Sequence, residues 1–246
     1  MSQDLNNTTG PRGVSFSQCI LLLLVISSCT VSQESGFFPL EPGYEWRYRV
    51  QHRSSGELVE QRLLLTSIDS REIENQQYFV QRSLTGAQIL FQQSSAGIER
   101  AGFIKSSGVD EVFIRESILI LPATLEIGYE WESVVKTRAL LKKWSPGKAV
   151  PSNVSAKVPV VHRIEALDAE VKTTAGRFNN CLMTSTTGFA FHSGDRYSER
   201  VLVEIKQTDW YAPGIGLVKS VLSESSSSDA FANAEITVEL DSYLTP

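Results

Sequence analysis

The 246-residue chain is 41% hydrophobic and 21% charged, with Lys+Arg 23 against Asp+Glu 28 and a formal net charge of −5, so it has the apolar content for a large core and no basic excess for holding nucleic acid. Three cysteines are too few for a disulfide framework, and no Cys or His pair has metal-ligand spacing.

The first element in chain order is the apolar run Cys19–Ile26, far shorter than the ~20 residues of a membrane-spanning helix but right for the hydrophobic region of a signal peptide. Ile26-Ser27-Ser28-Cys29 follows it. An aliphatic residue, two small residues and a cysteine resemble the bacterial lipobox, in which the cysteine becomes the lipidated N-terminus. Ordinary secretory cleavage beside an unmodified Cys29 is the competing reading, and Ser at −1 and a long n-region with Arg12 as its one cation depart from the pattern. The lipoprotein reading makes 1–28 a signal peptide, 29–36 a small polar tether and 37–246 a single β domain. It places the chain outside the cytoplasm, held to the membrane by lipid on Cys29. With Thr30 and Val31 following, an outer-membrane site facing the periplasm is expected in a two-membrane host. Cys19 leaves with the leader and Cys29 carries lipid, so Cys181, in FNNCLM, is read as a buried core thiol.

From Phe37 onward the text is that of an antiparallel β protein. Tyr44, Trp46, Tyr48 and Val50 alternate at strand period after the Pro42-Gly43 break, giving a first strand with an aromatic inner face. Short β-prone runs then recur about every 10 residues as far as Ile118–Leu121 and Pro122, the spacing of a meander. Leu125-Glu126-Ile127-Gly128-Tyr129-Glu130-Trp131 repeats Leu40-Glu41-Pro42-Gly43-Tyr44-Glu45-Trp46 with one substitution. It is either a duplicated half-domain or a recurring device in which Gly allows the turn and Trp plugs the core. The flanks do not match, which favours the device.

Residues 138–155 read as a long exposed loop: Arg138, Lys142, Lys143 and Lys148 lie among turn formers, with Leu140, Leu141 and Trp144 forming a possible apolar side. Such a basic, aromatic segment is a candidate contact loop for an anionic membrane surface or an acidic partner, or a plain connector. Next, Val158, Val160, His162 and Ile164 alternate, which puts His162 in an inward slot. Thr174-Ala175-Gly176-Arg177 reads as a tight hairpin. His192 and Asp195, with Glu199, form the one mixed cluster that looks catalytic, an arrangement equally suited to a turn. Trp210, Pro213, Gly214 and Gly216 mark a turn and bulge, and Ala232, Ala234, Ile236, Val238 and Leu240 alternate as a final strand expected to close the sheet at its C-terminal edge.

Three segments, FFPLEPGYEWRYRV, VKTTAGRFNNCLM and WYAPGIGLVKS, together resemble the TapB-like group of bacterial envelope lipoproteins of unknown function. That group reads as an aromatic-Pro-Leu entry with Trp-x-Tyr, an Ala-Gly-x-Phe hairpin with Cys-Leu, and a Tyr-x-x-Gly-x-Gly-Leu-Val turn. The resemblance covers most of the chain beyond the leader, least at 138–155. It implies an all-β, strongly curved antiparallel sheet or incomplete barrel, and no assigned catalytic residue. The expected role is a lipid-anchored binding or assembly module for a protein or apolar ligand, without metal or cofactor. A carrier of acyl ligands in an open barrel is the first alternative, and an envelope hydrolase using His192 and Asp195 the second.

Overall fold

The computed structural model describes residues 36–54, 56–107, 110–137, 141–142, 156–193, 200–228 and 231–246, all within the compact unit Gln33–Pro246. The expected leader, Cys29, Arg138, Leu140, Lys143, Trp144, Asp195 and Glu199 lie outside the described residues.

Described elements are strands only. The first half of the chain gives β1 (Glu45–Ser54), β2 (Glu57–Ile73), β3 (Gln76–Ser83), β4 (Gln88–Ser94), β5 (Gly97–Ser107) and β6 (Asp110–Pro122). The second half gives β7 (Glu130–Lys136), β8 (Leu141–Lys142), β9 (Lys157–Thr173), β10 (Gly176–Ser193), β11 (Arg200–Ala212), β12 (Gly216–Ser226), β13 (Phe231–Ala232) and β14 (Ala234–Leu244). Twelve of them form one antiparallel sheet in the order β6-β5-β4-β3-β2-β1-β14-β12-β11-β10-β9-β7, curved into a nearly closed barrel. β8 and β13 pair in a separate two-stranded ladder.

That order corrects the expected place of the last strand: β14 is internal, hydrogen-bonded to β1 along the whole of β1 and to β12 on its other side. Alternation tells which face of a strand is buried, and it says nothing of which strands lie beside it. The sheet edges are β6 and β7, the middle strands of the chain.

The sheet is therefore two six-stranded meanders joined first strand to last. β1 to β6 is one, and β7, β9, β10, β11, β12 and β14 the other. Each begins at a copy of the Leu-Glu-x-Gly-Tyr-Glu-Trp text, and each copy docks in the same way. The Gly43 N–H donates to Ser67 C=O while the Ser67 N–H donates to Tyr44 C=O; the Gly128 N–H donates to Ile164 C=O while the Ile164 N–H donates to Tyr129 C=O. Gly43 and Gly128 hold φ of 100° and 87°, a region that side chains with a Cβ resist, so the repeated Gly fits a repeated backbone demand. The echo marks the two halves of the barrel, which is more than the local device that its flanks favoured.

Inward positions carry the core. Trp46, Tyr48, Val218, Leu240 and Cys181 form one buried cluster, and Trp131, Ile164, Leu182 and Leu121 another. The Tyr78 and Phe113 rings meet edge to face at 5.9 Å, three strands apart in the sheet, so the β3–β6 ribbon curls on itself. Cys181 is a fully buried free thiol, its pKa raised by desolvation, as a core residue rather than a nucleophile would be.

Candidate functional site

Where β6 and β7 face each other the barrel does not close by backbone pairing. The junction of the two halves at β1 and β14 is laddered throughout, whereas at the corresponding β6–β7 junction the indole Nε1–H of Trp131 donates to Leu119 C=O at 3.2 Å. Trp131 is 8% exposed and its ring stacks on His162 at 5.0 Å and 15°. His162 in turn bridges strands: Ser133 Oγ lies 2.7 Å from its Nε2 and Thr186 Oγ1 2.7 Å from its Nδ1, so β7, β9 and β10 are tied by one polar rung.

This rung contains a serine and a histidine in contact, and its chemistry argues for a structural bridge. Both ring nitrogens are occupied by hydroxyls, so no carboxylate orients the imidazole. Burial lowers the His162 pKa to about 4, making it a poor general base. A pH dependence follows. The unfolded chain takes up a proton near its ordinary pKa of 6.5 while the folded ring resists until about 4. The stability this group contributes is complete above 6.5 and is lost progressively as pH falls towards 4. Urea unfolding at pH 7 and pH 4.5 is expected to show a smaller acid loss in His162→Asn than in the wild type; equal losses would remove His162 as the cause.

Beside the seam runs a cleft of about 900 Å³. Its apolar wall includes Ile89, Phe103, Ile118, Leu119 and Val135, and its polar groups include Arg100, Glu116, Ser133, Lys136 and Lys157. Inside the barrel lies a cavity of about 290 Å³ walled by Trp46, Tyr48, Leu63, Phe91, Ile120 and others, with Gln81 and Arg100 as amide and charge. The two spaces share Ile89 and Arg100. Arg100 is neutralised there by Glu116, Nε to Oε2 at 2.9 Å. Burial raises the pKa of Tyr48 and, with Asp209 and Tyr48 nearby, that of Tyr211; both phenols line the inner cavity and stay neutral, and Tyr48 donates to Leu217 C=O. A further depression, of about 780 Å³, is built around Gly188, Val161 and Phe189; it shares Glu132, Ser133 and Val134 with the seam cleft and no lining residue with the inner cavity.

Of the residues singled out from sequence, Trp46 is 2% exposed and its Nε1–H donates to Ile215 C=O at 2.6 Å. Gly176 starts β10 after the two-residue turn Thr174-Ala175, and half-buried Trp210 packs on the Trp46 cluster. Pro213 and Gly214 form the turn closed by the Ile215 N–H on Ala212 C=O, and Gly216 lies against Pro39 and Trp46. Leu141 and Lys142 pair by backbone with Ala232 and Phe231. His192 is half-buried on β10 opposite Val201. Among the described residues singled out, Trp131 borders the seam, with His162 stacked on it. Sequence reasoning missed Arg100, Ser133, Lys136 and Lys157, whose only signal was a polar residue among apolar ones.

No family model matches the chain, and no curated protein matches it. Solved structures with a similar chain course include a protein from Bacteroides fragilis, provisionally described as exported and with a YmcC-like fold: 13% identity, 85% of this chain and 99% of that one covered, TM-score 0.41. Another is a protein from Parabacteroides distasonis, provisionally described as a lipoprotein, with 12% identity, coverage of 85% and 98% and a TM-score of 0.35. A third is the hypothetical lipoprotein YmcC from Escherichia coli, with 11% identity, coverage of 81% and 87% and a TM-score of 0.33. Likeness at this level transfers no role to this chain.

Proposed function

We propose that this chain is a lipid-anchored cell-envelope protein of the kind its three TapB-like segments resemble, whose incomplete barrel binds an apolar ligand at the β6–β7 seam and performs no chemistry on it. The observation that carries the reading is the adjacency of the 900 Å³ seam cleft to the 290 Å³ apolar cavity, across the shared Ile89 and Arg100. The cleft by itself falls in the ~300–1,000 Å³ range of small-molecule sites. A barrel meant only as a filled scaffold has no need of an unladdered seam.

The anchor rests on the Ile26-Ser27-Ser28-Cys29 text. Cys29→Ser is expected to move the protein from the membrane to the soluble fraction, and an unlipidated N-terminal peptide from membrane-bound wild type would refute the anchor. The binding reading is tested on the soluble Cys29→Ser protein with the apolar dye N-phenyl-1-naphthylamine. Saturable fluorescence enhancement is expected, reduced at least about tenfold in affinity by Ile118→Trp, which fills the cleft. A folded protein that leaves the dye dark, or binds it equally with the cleft filled, rules the site out.

A further inference from the structure

The seam cleft mixes apolar and charged lining and carries its charge unevenly, with Glu116 and Glu132 as its carboxylates. At the Trp131 end it is pinned by the indole bond to Leu119. In its wall the Arg100 charge is cancelled by Glu116. At the far end of β7, Lys136 stands directly opposite Lys157 in the β7–β9 register, and both line the cleft. Like charges directly opposite on neighbouring strands destabilise a sheet, and among the described residues neither lysine has a carboxylate within ion-pair distance. Both side chains are exposed, so the repulsion is softened by water.

We infer that the ligand of this cleft is an amphiphile with one anionic head, carboxylate or phosphate, held between Lys136 and Lys157, its apolar chain lying along Val135, Ile118 and Leu119 towards Ile89. This rests on the apolar-ligand reading above and adds the head to it. Two ammonium groups act as point charges that accept either anion, in contrast to the planar fork of Arg, which here is already engaged. A bound anion would turn the Lys–Lys repulsion into two attractions, an interaction that a neutral chain of equal length cannot make. The inner cavity beyond Ile89 gives the distal end of the chain somewhere to go, which an added peptide strand along β7 could not use.

The test is dye displacement from the Cys29→Ser protein by three ligands of equal chain length: hexadecanoate, hexadecyl phosphate and the neutral monopalmitin. The anionic pair is expected to displace dye at concentrations about tenfold below the neutral one, the advantage shrinking with salt. In K136Q/K157Q, with both substitutions at exposed positions, the anionic advantage should vanish while dye affinity and monopalmitin displacement stay as they were. The stronger of the two anions identifies the head group, and either order supports the inference. Equal displacement by all three ligands, or an anionic preference that survives the double substitution, overturns the head-group assignment and leaves the apolar site standing. Loss of dye binding in the unsubstituted protein overturns both.

Discussion

Trp131→Ala is expected to destabilise the protein by about 3–5 kcal/mol, the range for deleting a large buried aromatic, and to lower the melting temperature by about 6–20 °C for a domain of this size. The loss has three parts. The 8% exposed ring leaves a void in the cluster with Ile164, Leu182 and Leu121; the stack on His162 is lost; and Leu119 C=O loses the indole donor that holds β6 to β7. Trp131→Phe keeps much of the ring and drops the hydrogen bond, so it isolates that contact at about 1 kcal/mol plus a small packing loss. Because the bond spans an unladdered junction, the Ala variant should also accelerate amide exchange in β6 and β7 more than in β1 and β14. Denaturant titration with exchange mass spectrometry measures both. A cost below about 1 kcal/mol, or exchange raised equally in all strands, would show that the seam does not depend on Trp131.

Trp46→Ala should cost a similar ~3–5 kcal/mol with a different distribution. Trp46 is 2% exposed, stacks on Tyr44 at 5.5 Å and donates to Ile215 C=O, but the strand it sits on is laddered on both sides. Losing the ring should therefore lower global stability without opening one junction selectively. It also enlarges the inner cavity that Trp46 walls, and each Å³ left empty adds about 24 cal/mol to the cost. The signature is a fall in denaturation midpoint with exchange raised throughout the sheet. A selective opening of β1 from β14 would contradict it.

The contrast between these two tryptophans measures what could be read from residues alone. Both follow the same seven-residue text, and that text was enough to expect a glycine turn, a strand and a buried indole at each. The alternation of Trp46, Tyr48 and Val50, of Val158, Val160 and Ile164, and of the last strand assigns inward faces that the structure shares, because side-chain period 2 is a property of a single strand. The same alternation places His162 inward. The hydroxyls that flank it were not foreseen: Ser133 is 29 residues away in the chain and Thr186 24.

Sequence alone determined the all-β class, the recurring turn-and-strand text and the faces each strand turns to the core, since these follow from local backbone preference and period. Tertiary structure alone decided strand order: that the last strand joins the first, that the two meanders meet unladdered at β6 and β7, and that Lys136 stands opposite Lys157 on the neighbouring strand β9 beside a cleft. Neighbour choice is a long-range matter, settled by how two six-stranded ribbons curl and by which edges remain when they have done so. No stretch of a few residues carries that information, and the candidate site lies where those edges meet.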